Sequence, residues 1–200
     1  AEVTALIERR GDLVERVELA RAAAPTIAAG LTSIGVDTWA HAQGVRGAGV
    51  GVFMSEAWGN CPVSPYIDAT RFTNINGGTE HWHADIVGEV LRRTAPHAQI
   101  YCGSYMIGNP NAYWPPIRAT NHSWRYTEEG NAYGVADRDF DDAVYNNRLA
   151  VFVAAGNVDG QGQSWNVSSP ARGFNSLSVG NYDAANNTMN AGSRHINPNT

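Results

Sequence analysis

The fold of this chain is decided by residues 47–56, Gly-Ala-Gly-Val-Gly-Val-Phe-Met-Ser-Glu. The centre of the stretch, residues 50–54, is a short apolar run that ends at the polar residues Ser55 and Glu56. A run of this length beside glycines is typical of a strand buried inside a parallel sheet. We therefore predict a buried strand whose carboxyl end carries a polar group.

Outward from this strand, helix patterns alternate with strand patterns. Helices are predicted over residues 84–93 and 137–147, and further strands over residues 98–102, 119–123, 149–155 and 176–180. The alternation predicts an α/β protein, a three-layer α/β/α arrangement with a mainly parallel sheet and helices on both faces. Chemistry in such sheets collects at the carboxyl ends of the strands, where Glu56, Ser123 and Asn157 lie.

Two regions are expected along the chain. Residues 1–30 are predicted to be an N-terminal helical segment, because apolar stripes over residues 2–24 are interrupted by Gly11 and ended by Pro25. Residues 31–200 are predicted to form the α/β domain, incomplete at its C-terminus.

Composition limits the classes of partner. The 200 residues are 43% hydrophobic and 16% charged, which is typical of a globular protein. The formal net charge of -5 argues against nucleic acid or an anionic membrane as partner. No apolar run approaches the roughly 20 residues that span a bilayer, and the N-terminus has no signal-peptide pattern. Two cysteines, Cys61 and Cys102, fit either a disulfide, which would suit an exported protein, or two free thiols.

Five segments, taken in chain order, resemble the subtilisin family of serine proteases. Residues 47–56 are similar to the family's Gly-x-Gly-Val-x-Val-x-x-x-Asp strand, and residues 83–98 to its catalytic-histidine helix and Ala-Pro turn. Residues 120–124 are similar to its substrate strand, and residues 151–157, Val-Phe-Val-Ala-Ala-Gly-Asn, to the segment that carries its oxyanion-hole asparagine. Residues 170–180 contain its Pro-Ala and Val-Gly pieces. The ordered set extends over about residues 31–198 and implies a subtilisin-like fold.

The resemblance implies a serine endopeptidase acting on peptides or proteins. His83 matches the base that deprotonates the nucleophile, and Glu56 stands where the family has the acid that orients the base. Asn157 matches the donor to the developing oxyanion. The resemblance also implies secretion, although this sequence shows no signal peptide.

The substrate-binding edge is expected at Ser123, Trp124 and Arg125. An extended peptide would pair with their backbone, and flanking side chains would supply specificity. The bulk of Trp124 could narrow a side-chain pocket, or the residue could simply be part of the core.

Two departures from the family matter. The first acid of the family is aspartate, whereas this chain has Glu56, which is one methylene longer. The family's Gly-Thr-Ser-x-Ala nucleophile motif does not occur in the 200 residues. We therefore expect the serine on a segment beyond this chain, including a second chain carrying it. The alternative is a catalytically inactive subtilisin-like module that binds peptides or a partner protein.

Each candidate residue also has a non-catalytic explanation. Glu56 fits a solvated strand-end acid, His83 a helix-start histidine, and Asn157 a turn residue after glycine. His81 competes with His83, but it puts the Ala-Pro turn two residues out of step. A metal site of Glu80, His81 and His83 lacks further ligands, so no metal or other cofactor is expected. Structural calcium is common in the family, but no loop here identifies a site for it.

A dinucleotide-binding domain is the main competing fold. Val52 stands where the third glycine of the fingerprint would be required, and Gly47 and Gly49 precede the strand rather than follow it. The family resemblance also implies a cis bond between Ser169 and Pro170.

Overall fold

The computed structural model describes residues 29–57, 61, 69–75, 81–126, 132–158, 165–183 and 186–196. The chain forms two compact units, Ala1–Arg46 and Gly47–Thr200. In the first unit, residues 29–33 are helical and Val36–Ala40 form a π-helical turn. The helices predicted over residues 2–24 lie outside the described residues, so the boundary predicted after residue 30 stays a prediction.

The second unit is built on a six-stranded parallel sheet. Its strands are β1 (Gly51–Ser55), β2 (Phe72–Asn74), β3 (Gln99–Gly103), β4 (Ile117–His122), β5 (Ala150–Ala154) and β6 (Leu177–Val179). They lie in the order β2-β3-β1-β4-β5-β6, and each neighbouring pair is parallel. The helices are α1 (Trp82–Thr94) and α2 (Val135–Asn147), and a short antiparallel pair follows, β7 (Tyr182–Asp183) and β8 (Thr188–Met189). The predicted α/β class with a mainly parallel sheet is confirmed.

The two helices cover opposite faces of the sheet. Ala84 of α1 packs with Met54 of β1, whereas Phe140 of α2 belongs to the cluster that contains Phe53. Neighbouring side chains on a strand point to opposite faces, so Phe53 and Met54 separate the sheet into an α2 face and an α1 face. The three-layer arrangement predicted from the sequence is therefore present.

The direction of winding reverses at the centre of the sheet. The chain leaves β1 toward β2 and β3 on one side, and continues from β4 to β5 and β6 on the other. β1 and β4 are neighbours, with Ser55 in register with His122. In doubly wound sheets, the crevice at such a reversal is the usual binding position, outside the carboxyl ends of the strands. Glu56 and Ser123 are the first residues beyond those two ends.

The main helices and strands agree with the prediction to within about two residues, the usual uncertainty of element ends. Strand β2 and the β7–β8 pair were not predicted, because elements of two or three residues are too short to show a periodic pattern. The cis bond between Ser169 and Pro170 is confirmed.

Candidate active site

A carboxylate and an imidazole meet at the carboxyl edge of the sheet. Glu56 follows β1 directly, its backbone N–H donates to Gly103 O at 3.3 Å, and only 3% of the residue is exposed. His83 is in the first turn of α1, and its Nδ1 lies 2.7 Å from Oε2 of Glu56. The contact joins the end of β1 to the start of the helix on the α1 face.

The competing histidine has a structural position instead. His81 is the N-cap of α1, and its Nδ1 accepts a hydrogen bond from the backbone N–H of His83 at 3.3 Å. A capping side chain satisfies one of the backbone donors that a helix start leaves unpaired. His81 therefore fixes where α1 begins, and that start presents the His83 ring to Glu56. Asp85 lies in the same first turn, where an acid suits the helix dipole.

The environment of His83 favours its protonated form. The hydrogen bond that the ring donates to Glu56 raises the pKa of His83 above its usual 6.5, partial burial acts in the opposite direction, and the carboxylate charge adds to the increase. Because Glu56 engages Nδ1, the ring's Nε2 points away from the carboxylate and carries the free lone pair when the ring is neutral. The side chain is 37% exposed, so a reactant can approach it.

Glutamate spans the gap to the imidazole without lengthening the hydrogen bond. Oε2 is at ordinary charge-assisted distance from His83. Oε1 is buried and accepts no hydrogen bond from any described residue. The extra methylene relative to aspartate is thus accommodated by the position of the strand end.

Asn157 lies at the same edge of the sheet as Glu56, two strands away. Val153 of β5 is in register with His122, which is in register with Ser55, so the two strand ends are separated by about 10 Å. Asn157 is exposed. The structure therefore brings Glu56 and His83 into contact and places Asn157 farther along the same rim.

The loop that carries Asn157 requires glycine before it. Gly156 has φ +100, and a Cβ at this position would lie 2.7 Å from Ser168 Oγ and 3.0 Å from Arg125 Cδ. Both the positive φ and the close approach favour glycine. The backbone turn that exposes Asn157 is therefore specified locally.

Arg194 is a neighbour of this loop that the sequence analysis missed. Its Nε donates to Asn157 O at 2.9 Å, its Nη1 donates to Ser168 Oγ at 3.0 Å, and its backbone N–H donates to Gly156 O at 3.0 Å. The residue is 9% exposed, which is rare for a charged side chain. A buried guanidinium thus holds the backbone of the Asn157 loop. No local pattern marks the residue, because its partners are distant in sequence.

The predicted substrate-binding residues follow β4, which lies between β1 and β5 in the sheet. They therefore lie between Glu56 and Asn157 along the rim. The Ser123 N–H donates to Ser55 O at 3.3 Å, which continues the pairing of β4 with β1. The Trp124 indole N–H donates to Ser55 Oγ at 2.8 Å, and its rings pack against the α2-face cluster. Arg125 lies against Gly156. The indole is therefore anchored on the α2 face, while the backbone of this segment runs along the rim.

A second buried histidine lies just below that indole. His122 is 1% exposed and its Nε2 is 3.0 Å from Thr120 Oγ1. Its Nδ1 has no partner among the described residues, and the ring packs edge-on against Phe140, with centroids 4.6 Å apart. Burial lowers the pKa of His122 to about 3. The ring is therefore neutral at ordinary pH and belongs to the core.

Other surface features lie away from this edge. A cavity of about 390 Å³ opens near the amino ends of the strands, and is lined by Ala48, Gly49, Arg71, His97, Gln99 and Pro115. Within the described ranges, no three His, Cys, Asp or Glu side chains group as a metal site requires. None of the helices described is both long and apolar enough to cross a membrane.

Comparison with known proteins agrees with this architecture. The model of the Subtilase family matches residues 47–199, a stretch that includes the whole parallel sheet and both the Glu56–His83 pair and Asn157. No curated protein matches the chain. Since the family match extends over most of the 200 residues and begins four residues before the central strand, this chain belongs to the subtilase family, a family of peptide hydrolases.

Proposed function

We propose that this protein is a serine endopeptidase in which Glu56 and His83 activate a serine supplied by a segment beyond these 200 residues. The observation that carries the proposal is the 2.7 Å contact between Glu56 Oε2 and His83 Nδ1. A buried carboxylate that engages one ring nitrogen and leaves the other accessible is the arrangement that a serine nucleophile needs from its base.

The chemistry assigned to the pair is proton transfer. Nε2 of His83 takes the proton of the serine hydroxyl as it attacks the peptide carbonyl, and later returns it to the leaving amine. Glu56 holds the ring in the tautomer with hydrogen on Nδ1 and stabilises the imidazolium that forms. The raised pKa of His83 makes the ring a stronger base than a free imidazole.

Asn157 is assigned the developing oxyanion. Its side chain is exposed, and removing one such donor typically costs about 100- to 1000-fold in turnover. The backbone of Ser123, Trp124 and Arg125 is assigned to the substrate peptide, since an extended chain adds naturally along this rim.

Exposed apolar side chains on β5 and β6 support the proposal that a further segment packs near the Glu56–His83 pair. Phe152, Leu177 and Val179 are 38%, 54% and 50% exposed. Val151 and Val153 pack on the α2 face, so Phe152 and its register partner Leu177 point to the α1 face. That is the face on which Glu56 meets His83. A segment packed over these strands would bring a serine to the correct side of the sheet.

A fluorophosphonate probe on the complete protein tests the proposal. We expect one labelled serine, and labelling that falls to background in His83→Ala but persists in His97→Ala, a matched control at the histidine that lines the cavity near the amino ends of the strands. A folded complete protein in which the probe labels no serine would instead identify a non-catalytic module that binds peptides or a partner protein.

A further inference from the structure

Two buried thiols lie near each other, and one of them, Cys102, is on the α1 face. Cys102 of β3 is in register with Met54 of β1, and it is 0% exposed. Cys61 is 1% exposed and lies five positions beyond Glu56 along the chain. Both are free thiols in this structure, and Cys61 lies close enough to Cys102 to raise the pKa of its thiol. Proximity of two buried cysteines is the first requirement for a disulfide between them.

The two cysteines lie near the proposed active-site carboxylate, Glu56. Cys61 follows it in the chain, and Cys102 lies on the neighbouring strand. Glu56 donates its backbone N–H to Gly103 O, immediately after Cys102, and Ile75 donates to Cys102 O at 3.0 Å. The chain between the two cysteines includes β2, α1 with His83, and most of β3. A bond between the sulfur atoms would close a loop that carries the imidazole, and would tie down the chain just beyond Glu56.

We propose that Cys61 and Cys102 form an intramolecular disulfide when the protein folds in an oxidising compartment. Subtilases are often secreted, and disulfides persist in such compartments. The oxidant is a low-molecular-weight disulfide, R–S–S–R. One cysteine thiolate attacks it, forms a mixed disulfide and releases RS⁻. The second thiolate attacks the cysteine sulfur of that mixed disulfide and releases the other RS⁻, so two thiols lose two protons and two electrons and two RSH molecules form.

The burial of the two thiols determines at which stage of folding they can be oxidised quickly. The hydrogen bond with Cys61, together with burial, raises the pKa of the Cys102 thiol above its usual range, and the thiolate is the reactive form. Both sulfur atoms are also closed to solvent. Oxidation therefore accompanies folding, and a bond once formed is shielded from reductants.

Refolding in a glutathione redox buffer tests the proposal. Complete protein is reduced, denatured, refolded with oxidised glutathione present, then alkylated and digested with trypsin without reduction. We expect a disulfide-linked pair of peptides, residues 47–71 and 94–118, which are the arginine-bounded fragments that contain the two cysteines. Two alkylated cysteines, two glutathione adducts, or a bond between chains would overturn the proposal.

Thermal unfolding gives a second readout. A cross-link closing a loop of roughly 40 residues is expected to raise Tm by about 10 °C over the reduced protein. The variants Cys61→Ser and Cys102→Ser are matched controls, whose Tm should be the same with and without oxidant. A wild-type Tm that stays level or falls on cross-linking would show that the fold does not accommodate the bond. Neither readout requires protease activity, so the result is independent of the proposed function.

Discussion

The end of β1 supports two histidine environments, one on each face of the sheet. On the α1 face, buried Glu56 holds Nδ1 of His83, whose ring is 37% exposed. On the α2 face, Ser55 holds the Trp124 indole, and His122 is enclosed below it with Thr120 Oγ1 as its neutral partner. The pKa of His83 is raised by its carboxylate, whereas burial lowers that of His122 to about 3. The charge of the partner and the access of solvent therefore give two identical side chains near the end of β1 different pKa values.

The two rings make the stability of the fold respond to pH in opposite directions. The pKa of His83 is higher in the folded protein, so its stabilising contribution is present below pH 6.5 and is lost as pH rises through the raised value. The pKa of His122 is lower in the folded protein, so the unfolded chain binds its proton first, and stability is lost as pH falls below 6.5. The free energy of unfolding, measured as a function of pH, should therefore show the effects of both histidines.

The largest expected effect comes from removing the charge on the α1 face. Glu56→Gln keeps the shape of the side chain but not the charge, and the complete protein should lose about 10³- to 10⁴-fold in kcat, as enzymes do when the orienting acid of a triad becomes an amide. The pKa of His83 should fall at the same time, because its main stabilising partner is gone. The pH dependence of kcat/KM and the NMR titration of the ring measure the two effects.

A serine variant on the other face is the control for that experiment. Ser55→Ala removes the acceptor of the Trp124 indole, and should leave the His83 titration unchanged. If Glu56→Gln left both turnover and the His83 pKa unaltered, the contact would be structural, and the proposed triad would be wrong.

The next effect belongs to the α2 face and concerns stability. Between pH 6.5 and pH 4.5 the neutral, buried His122 should cost the fold about 2 kcal/mol of unfolding free energy, because the unfolded chain takes up a proton that the buried ring does not, at up to about 1.36 kcal/mol per pH unit. His122→Met replaces the ring with an apolar side chain that needs no proton. Urea unfolding of both proteins at the two pH values should show this part of the acid sensitivity in the wild type and its absence in the variant. An identical loss in both would assign the acid sensitivity to other groups.

The sequence predicted the α1 face better than the α2 face. Glu56 and His83 belong to motifs that resemble a known family, and each lies at the end or start of a strongly periodic element. His122 also lies in such a motif, but whether it is buried or charged depends on Phe140, which comes from a different helix. Neither alternation nor spacing reports that kind of contact.

Contacts between distant residues account for the other omissions. Arg194 acts on a loop 37 positions earlier, and its own surroundings are polar and show no pattern. The contact between Cys61 and Cys102 was left open because the number of cysteines does not determine whether two sulfur atoms meet. The helices predicted over residues 2–24 lie outside the described residues, so the comparison extends only to the rest.

A variant of Arg194 tests whether activity also depends on the loop that carries Asn157, which lies away from β1. Arg194→Met removes the donors to Asn157 O and Ser168 Oγ, and leaving such buried acceptors unpaired typically costs about 1–3 kcal/mol. We expect kcat of the complete protein to fall by roughly 10- to 100-fold with KM little changed, because Arg194 holds the loop of Asn157, the proposed oxyanion donor, rather than the substrate. Both histidine titrations should be unaffected. Arg138→Met, at an exposed arginine of α2, is the control and should retain full activity.

Partial recovery would distinguish positioning from bulk packing. Arg194→Lys restores a buried cation with fewer donors in fixed geometry, so its kcat should lie between those of the wild type and Arg194→Met. A lysine variant as impaired as the methionine variant, with both equally destabilised to urea, would instead mean that Arg194 serves packing alone.

The smallest effect tests how independent the two faces are. Trp124→Phe keeps the aromatic packing of the α2 face but removes the indole donor to Ser55 Oγ, which should cost about 1 kcal/mol of unfolding free energy. Combined with Ser55→Ala in a double-mutant cycle, the two changes should be non-additive by about that amount, because they remove the same hydrogen bond. The His83 pKa should stay constant throughout the cycle. A shift in that pKa on breaking the Trp124–Ser55 bond would mean that the end of β1 moves as a unit. Packing on the α2 face would then change the pKa of His83 on the α1 face.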